Sequence, residues 1–315
     1  METRKLGNSD LHTSVIGFGA WAAGKAGWGE VSDTQIEQAI HRAHELGVNF
    51  FDTAPVYGFG ESEQILGRTL RPIRDKVILA TKFGLAWDDT GSIRNDVSRG
   101  SIVREVEDSL RRLQTDYIDL YQVHWPDPSG TTSFEETFDT LNRLVEQGKI
   151  RYIGVSNFSR EQLTKAVTLS AVVSLQSLYN ILERDVEQGP LPYAAEQGIG
   201  FIPYSPLAQG LLTGKFNPGN KPKQDDVRSA LNPLFREGDY ELNLTKVQKL
   251  SEIAERYGKP LGQLAINWLL ANPAVSSVIA GAKTVEQVEE NTGAAQWKIA
   301  AEDVEEINRL FDDEA

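Results

Sequence analysis

Cysteine is absent from this sequence, which removes disulfides, thiol nucleophiles and thiolate metal sites together and accords with a reducing compartment. Histidine is scarce: the four are His12, His41, His44 and His124. His41 and His44 fall three apart on an expected helix, but no third ligand accompanies them, so no metal site is predicted. No run of about 18 apolar residues occurs, and the opening METRKLGNSD has no apolar stretch after its charges. The expectation is a cytoplasmic protein without a membrane segment. Basic residues are in the minority, 32 against 45 acidic for a net charge of −13, so the overall field repels a nucleic-acid backbone and no such partner is predicted. A Pro/Gly/Ser-rich linker is also missing. With 40% hydrophobic and 24% charged residues, the 315-residue chain reads as one compact domain over 1–315.

What is present is alternation. Strand-like and helix-like segments follow each other throughout, the pattern of βα units and a parallel sheet. Strands are expected at 16–20, 49–52, 77–82, 118–124, 152–156, 174–176, 200–204 and 277–280. Helices are expected at 33–46, 62–70, 102–113, 134–147, 160–169, 186–197, 246–257 and 284–292. In the third helix, Ile102, Val106, Ser109, Leu110 and Leu113 recur at helical spacing, which supplies one face for a sheet. Gly47, Gly148, Gly198 and Gly258 stand where helices should stop. Eight such units predict an α/β fold, a (β/α)8 TIM barrel. To it are added an N-terminal β-hairpin over 4–15 turned at Gly7-Asn8, two extra helices at 261–271 and 302–311, and a long loop after strand 7. That loop, 207–244, exceeds an ordinary connection and reads as a functional flap.

Barrel active sites gather at the carboxyl ends of the strands. Three of the expected strands close on Asp52, Lys82 and His124, and Tyr57 lies just past the first of these. An ammonium beside a phenol favours the phenolate, which pulls tyrosine down from its usual pKa of about 10 toward the range of a general acid. The carboxylate can hold that lysine charged, and the imidazole can orient a carbonyl oxygen.

The segments FDTAPVYGFGESEQILGRTL, VILATKFG, DYIDLYQVHWPD and GKIRYIGVSNFS carry a resemblance to the aldo-keto reductase superfamily that runs from about residue 6 to 291. The spacing is most similar to the bacterial general-stress and inositol-cluster reductase branch and to the β subunits of voltage-gated potassium channels. The resemblance implies that Asp52, Tyr57, Lys82 and His124 are the catalytic tetrad, that NADP(H) is the cofactor, and that the substrate is a small-molecule carbonyl compound.

A dinucleotide site might be sought first at Gly17-Phe18-Gly19-Ala20-Trp21-Ala22, which fits the G-x-G-x-x-G/A fingerprint. That fingerprint needs its third small residue to open a helix, and here more glycines follow, so a Rossmann domain is rejected. The resemblance instead places Gly19, Ala20 and Trp21 close to the nicotinamide. A stronger phosphate signal lies at 278–284, where a strand, a small-residue turn and a helix start offer free N–H groups and a partial positive charge. There the resemblance implies roles for Gly281, Ala282, Lys283, Gln287, Glu290 and Asn291 in holding the adenosine 2′-phosphate and adenine. Many relatives have lysine at the position of Gly281 and arginine at that of Gln287; Lys283, with Arg228 from the long loop, is expected to substitute. Ser156, Asn157 and Gln176 are polar strand ends suited to the nicotinamide carboxamide, and Tyr204 is suited to stacking on the ring. The segment 204–216 resembles a pyrophosphate strap, implicating Ser205, Pro206, Leu207, Gln209, Gly210 and Lys215.

The expected activity is reversible carbonyl reduction, with Tyr57 as proton donor and Trp21, Trp87 and Trp125 walling a substrate pocket around Tyr57 and His124. Two rivals differ in class. One is a redox-sensing or regulatory subunit that holds NADP(H) and turns over slowly; the other is a barrel aldolase with Lys82 as Schiff-base amine, which Asp52 opposes by keeping that amine charged. A monomer or small homo-oligomer is expected.

Overall fold

The structure is a computed structural model that describes residues 1–25, 31–222 and 232–312. Strands β1 (Thr3–Lys5) and β2 (His12–Ser14) form the expected antiparallel hairpin, with Gly7 in the left-handed region at its turn. The barrel strands are β3 (Ile16–Gly19), β4 (Phe50–Asp52), β5 (Ile78–Phe83), β8 (Ile118–Val123), β9 (Ile150–Ser156), β10 (Val172–Leu178), β11 (Gly200–Tyr204) and β12 (Val278–Gly281). All pair in parallel, in the order β11-β10-β9-β8-β5-β4-β3-β12. The sheet closes where Phe201 donates its N–H to the Ala274 carbonyl at 3.1 Å and accepts from Ser276 N–H at 2.9 Å. This is the (β/α)8 barrel expected from the alternation.

Side chains of the strands divide between two cores, as the twofold alternation of a strand requires. Phe50, Ala80, Leu120, Val173, Ile202 and Ile279 fill the interior, and Leu6 and Leu11 of the hairpin plug its floor. The outward-facing set packs against the helices, α1 (Asp33–Glu45), α2 (Glu61–Leu70), α3 (Arg99–Leu113), α4 (Phe134–Glu146), α5 (Arg160–Leu169) and those that follow. A cavity of about 590 Å³ opens at the amino ends of the strands, beside Gly7, Leu191 and Gly200, far from the polar strand ends.

Three departures from the sequence reading have local causes. A second hairpin, β6 (Leu85–Trp87) and β7 (Ile93–Asn95), was not foreseen; Asp88 turns it by accepting from the Thr90 and Ser92 N–H groups at 2.9 and 3.1 Å. The helix expected at 186–197 is a 3-10 turn over Asp185–Gln188 followed by α6 (Pro190–Glu196). Gly189-Pro190 divides them, because proline has no N–H to continue a helix and fits only at its start. The helix expected at 246–257 begins earlier, spanning Asp239–Arg256, with Tyr240, Asn243, Val247 and Leu250 buried. Its polar first turn reads as loop, yet the Glu241 side chain caps Gly238 N–H at 2.9 Å. The long loop is not a free flap in its described first part: Leu211, Leu212 and Phe216 are buried. The extra helices span Leu261–Ala271 and Ala301–Asp312.

Candidate active site

Parallel strands in register bring distant polar residues to one rim. Lys82 donates to Asp52 Oδ1 at 2.6 Å and to the Thr53 carbonyl at 2.8 Å, and lysine and carboxylate are both buried. The lysine Nζ lies 5.2 Å from the centroid of the Tyr57 ring, and the His124 ring meets that ring edge-on at 5.9 Å. The four residues expected to converge do so at the carboxyl ends of β4, β5 and β8. Asp52 Oδ2 also accepts from Gln122 Nε2 at 3.1 Å and Gln176 Nε2 at 2.9 Å.

The electrostatics differ from the sequence reading in one respect. Part of Tyr57 stays open to solvent, but desolvation by its surroundings pushes the hydroxyl above the ordinary tyrosine range, and the downward pull of Lys82 does not cancel this. Asp52, bonded to the ammonium at 2.6 Å, offsets part of the lysine's effect. Tyr57 is therefore a protonated phenol at neutral pH rather than a phenol poised near neutrality. Burial is the largest single influence on Lys82 and works against its charge, but Asp52 and Tyr57 together outweigh it and the ammonium is held above its usual range. His124 is pushed well below the usual histidine range by burial and then by Lys82, so its imidazole is neutral.

The Tyr57 loop is clamped by residues that the sequence reading passed over. Ser62 donates to the Ala20 carbonyl at 2.7 Å, shares a 2.7 Å hydrogen bond with the Thr53 hydroxyl, and donates its N–H to the Tyr57 carbonyl at 3.2 Å. Gly24 and Gly58 interlock backbone to backbone: a Cβ on Gly24 would lie 2.5 Å from Tyr57 C, and one on Gly58 would lie 2.4 Å from Gly24 O. Only glycine permits that approach. Gln122, two residues before His124, carried a signal in the sequence as an amide on the same strand face as the apolar Leu120.

The residues expected around a cofactor border the tetrad on both sides. Gly19 pairs in register with Asp52 on one side and Gly281 on the other, so bare backbone continues from the tetrad to the β12 end. Ala20 donates its N–H to the Asp52 carbonyl at 2.9 Å, and Trp21 stands 6.1 Å from the Tyr57 ring. Ser156 pairs with Gln176 across β9 and β10. Asn157 is committed internally, donating to the His124 carbonyl at 3.0 Å and accepting from the Tyr204 hydroxyl at 2.9 Å. Beyond Tyr204, Ser205, Ala208 and Gln209 all adopt left-handed φ, as does Gly210. Such strain collects at ligand clamps. Pro206 is buried, Leu207 caps the following 3-10 turn, and the Lys215 side chain lies over Gly210. Arg228 lies outside the described residues.

At the far rim Thr284 caps the helix Val285–Gly293. Gln287 Oε1 accepts from Lys283 N–H at 2.8 Å, and Asn291 donates to the Gly281 carbonyl at 3.3 Å. Ala282 is buried, while the Glu290 carbonyl accepts from Gln263 at 3.0 Å. The Gly281 Cβ direction is open, with its nearest neighbour 3.8 Å away. Amide and hydroxyl groups at one rim, an aromatic ring, uncovered glycine backbone and a helix start form a donor set suited to a dinucleotide. Of the aromatic wall, Trp125 is exposed, and Trp87 packs at 5.5 Å on Phe59 and 5.9 Å from the Arg112 guanidinium rather than on Tyr57. Among the described residues no His/Asp/Glu cluster has the makings of a metal site, and no helix is long and apolar enough to cross a membrane.

Comparison with known proteins agrees with this geometry. The sequence profile of the Aldo/keto reductase family matches residues 15–312. The aldo-keto reductase YhdN of Bacillus subtilis (strain 168) is 40% identical over 99% of this chain and 94% of its own. The NADH-specific methylglyoxal reductase of Escherichia coli (strain K12) is 35% identical over 96% of each. The solved glycerol dehydrogenase of Gluconobacter oxydans superposes with a TM-score of 0.90 at 36% identity, covering 98% of this chain and 94% of that one. With this fold and this match over nearly its full length, the chain belongs to the aldo-keto reductase family, oxidoreductases that generally use nicotinamide cofactors.

Proposed function

We propose that this chain reduces aldehydes and ketones to alcohols with NADP(H), and that Tyr57 is the general acid. The observation that carries the reading is a buried lysine, clamped by Asp52 at 2.6 Å, facing the ring of a half-exposed tyrosine. The nicotinamide, when bound, supplies the hydride. Ser156 and Gln176 would hold its carboxamide, Tyr204 its ring, the 205–215 strap the pyrophosphate, and the Gly281–Asn291 turn and helix the adenosine end. Tyr57, kept protonated by its desolvated setting, gives its proton to the carbonyl oxygen as negative charge builds there. Lys82 stabilises the phenolate left behind, Asp52 keeps Lys82 charged and aimed, and the neutral imidazole of His124 donates to the same oxygen. Trp21, 6.1 Å from the Tyr57 ring, is the tryptophan placed to meet a substrate there, which suits aromatic or medium aliphatic aldehydes. The protein works in the cytoplasm as a monomer or small homo-oligomer.

A second reading of the cofactor has its own observation. Gly281 and Gln287 bring no charge to the expected 2′-phosphate position, Gln287 is spent on Lys283 N–H, and the Escherichia coli relative is named NADH-specific. Lys283, with Arg228, supports NADP(H); steady-state kcat/KM with each cofactor decides, and a preference for NADH overturns that part.

Tyr57→Phe should lose roughly 10²–10⁴-fold in kcat, the usual worth of general acid catalysis, while cofactor quenching of tryptophan fluorescence is retained. Full turnover by Tyr57→Phe would remove the assignment.

A further inference from the structure

Gln122 is fully buried inside the barrel, where an amide is costly unless its hydrogen bonds are made and a methionine of similar volume would carry no such cost. The fold makes room for it. Its β9 partner is Gly154, where a Cβ would come within 2.9 Å of Gln122 Cγ. Its amide sits in a triangle: Gln122 Nε2 donates to Asp52 Oδ2 at 3.1 Å, Gln176 Nε2 donates to the same oxygen at 2.9 Å, and Gln176 Nε2 also reaches Gln122 Oε1 at 3.5 Å. An ionised carboxylate only accepts, so both amides must turn their NH2 groups toward it. Two consequences follow. Asp52 Oδ1 is left to Lys82 alone, with the carboxylate unable to rotate away, and the Gln176 carbonyl oxygen is turned away from Asp52.

We propose that Gln122 is a positioning residue that locks Asp52 onto Lys82 and, through the shared carboxylate oxygen, sets the Gln176 amide so that its oxygen accepts from the carboxamide NH2 of nicotinamide. This rests on the reading that Asp52, Tyr57 and Lys82 carry the proton chemistry. The titratable groups facing the triangle are Lys82 on β5, Tyr57 beyond β4, His124 at the end of β8 and Tyr204 on β11.

Two variants test it. Gln122→Met keeps the volume and removes both bonds: kcat should fall roughly tenfold, the scale of one hydrogen bond to a charged group, and cofactor affinity read by tryptophan fluorescence should weaken several-fold. With less of its charge neutralised, Asp52 opposes the phenolate more, so the alkaline limb of reduction, where Tyr57 loses its proton, should move to higher pH. Gln122→Glu keeps the acceptor toward Gln176 and can donate to Asp52 only while protonated. Two adjacent carboxyls share one proton, so this variant should approach wild-type kcat at acid pH and fall below it as pH rises, its thermal midpoint dropping in parallel. Wild-type kcat, pH profile and cofactor affinity in Gln122→Met overturn the proposal, as does an equal, pH-independent loss of kcat in both variants. Tyr57→Phe assayed alongside separates the two failures: an inactive Tyr57→Phe beside an unaffected Gln122→Met leaves the reductase reading intact, and an active Tyr57→Phe ends it.

Discussion

Lys82 and Asp52 form an ion pair of 2.6 Å with almost no solvent access to either member. A pair so enclosed is unforgiving when one partner is lost, since the charge that remains is buried without compensation. Asp52→Asn should therefore destabilise the fold by about 3–5 kcal/mol, and Asp52→Asn/Lys82→Met should recover much of that. Urea unfolding of the two variants checks the order; equal stability of single and double variants would contradict it.

Two desolvated groups, the buried His124 and the partly buried Glu105, give opposite pH slopes. His124 is depressed far below 6.5, so its contribution is complete above that pH and is lost as pH falls, because the unfolded chain takes up the proton first. Burial, and then Asp96 and Glu63, raise Glu105 from 4.5 to about 7, against the pull of its bonds to Gly84 N–H and Ser101. For this raised acid the contribution is complete below 4.5 and is lost as pH rises through 7, an order of about 3 kcal/mol. Thermal midpoints should show His124→Gln flattening the acid side and Glu105→Gln gaining on wild type above pH 7; unchanged curves would contradict both placements.

Gly58→Ala combines a left-handed φ of +65° with a Cβ only 2.4 Å from the Gly24 carbonyl oxygen. Backbone must give way on one side, and the Tyr57 loop is the side that matters for the proposed chemistry. The left-handed conformation alone costs about 1–2 kcal/mol. Turnover should drop more than cofactor affinity, measured on the same preparation; a fall in affinity alone would place the clash elsewhere.

Gly281→Lys introduces no such conflict, since its Cβ meets nothing closer than the Gly19 carbonyl at 3.8 Å and its φ is ordinary. A cation there should improve binding of the 2′-phosphorylated cofactor over the unphosphorylated one by roughly three- to tenfold, the modest worth of a partly exposed charged contact. The ratio of the two dissociation constants is the readout, and no change in it would place the 2′-phosphate away from Gly281.

The strands were legible as short, largely apolar runs, and the rim was legible because Asp52, Lys82, His124, Ser156 and Tyr204 close five of them. The β6–β7 hairpin was hidden in LAWDDTGSIRN, whose strands of three residues are too short to show alternation. The early start of the helix at Asp239 was hidden by a first turn whose polar residues face water while Tyr240 reaches inward to the Asn217 carbonyl at 2.9 Å.

By itself the sequence determined the alternating architecture and which side chains stand at the strand ends, since both follow from the local period of apolar residues and from what interrupts it. Tertiary structure alone decided that Gln122 and Gln176, 70 and 124 residues from Asp52, share one of its oxygens, and that Tyr57 is held above its ordinary pKa rather than below. Those are outcomes of closure: desolvation and hydrogen-bond geometry belong to the atoms that surround a group, and in a barrel those atoms arrive from strands far apart in the chain.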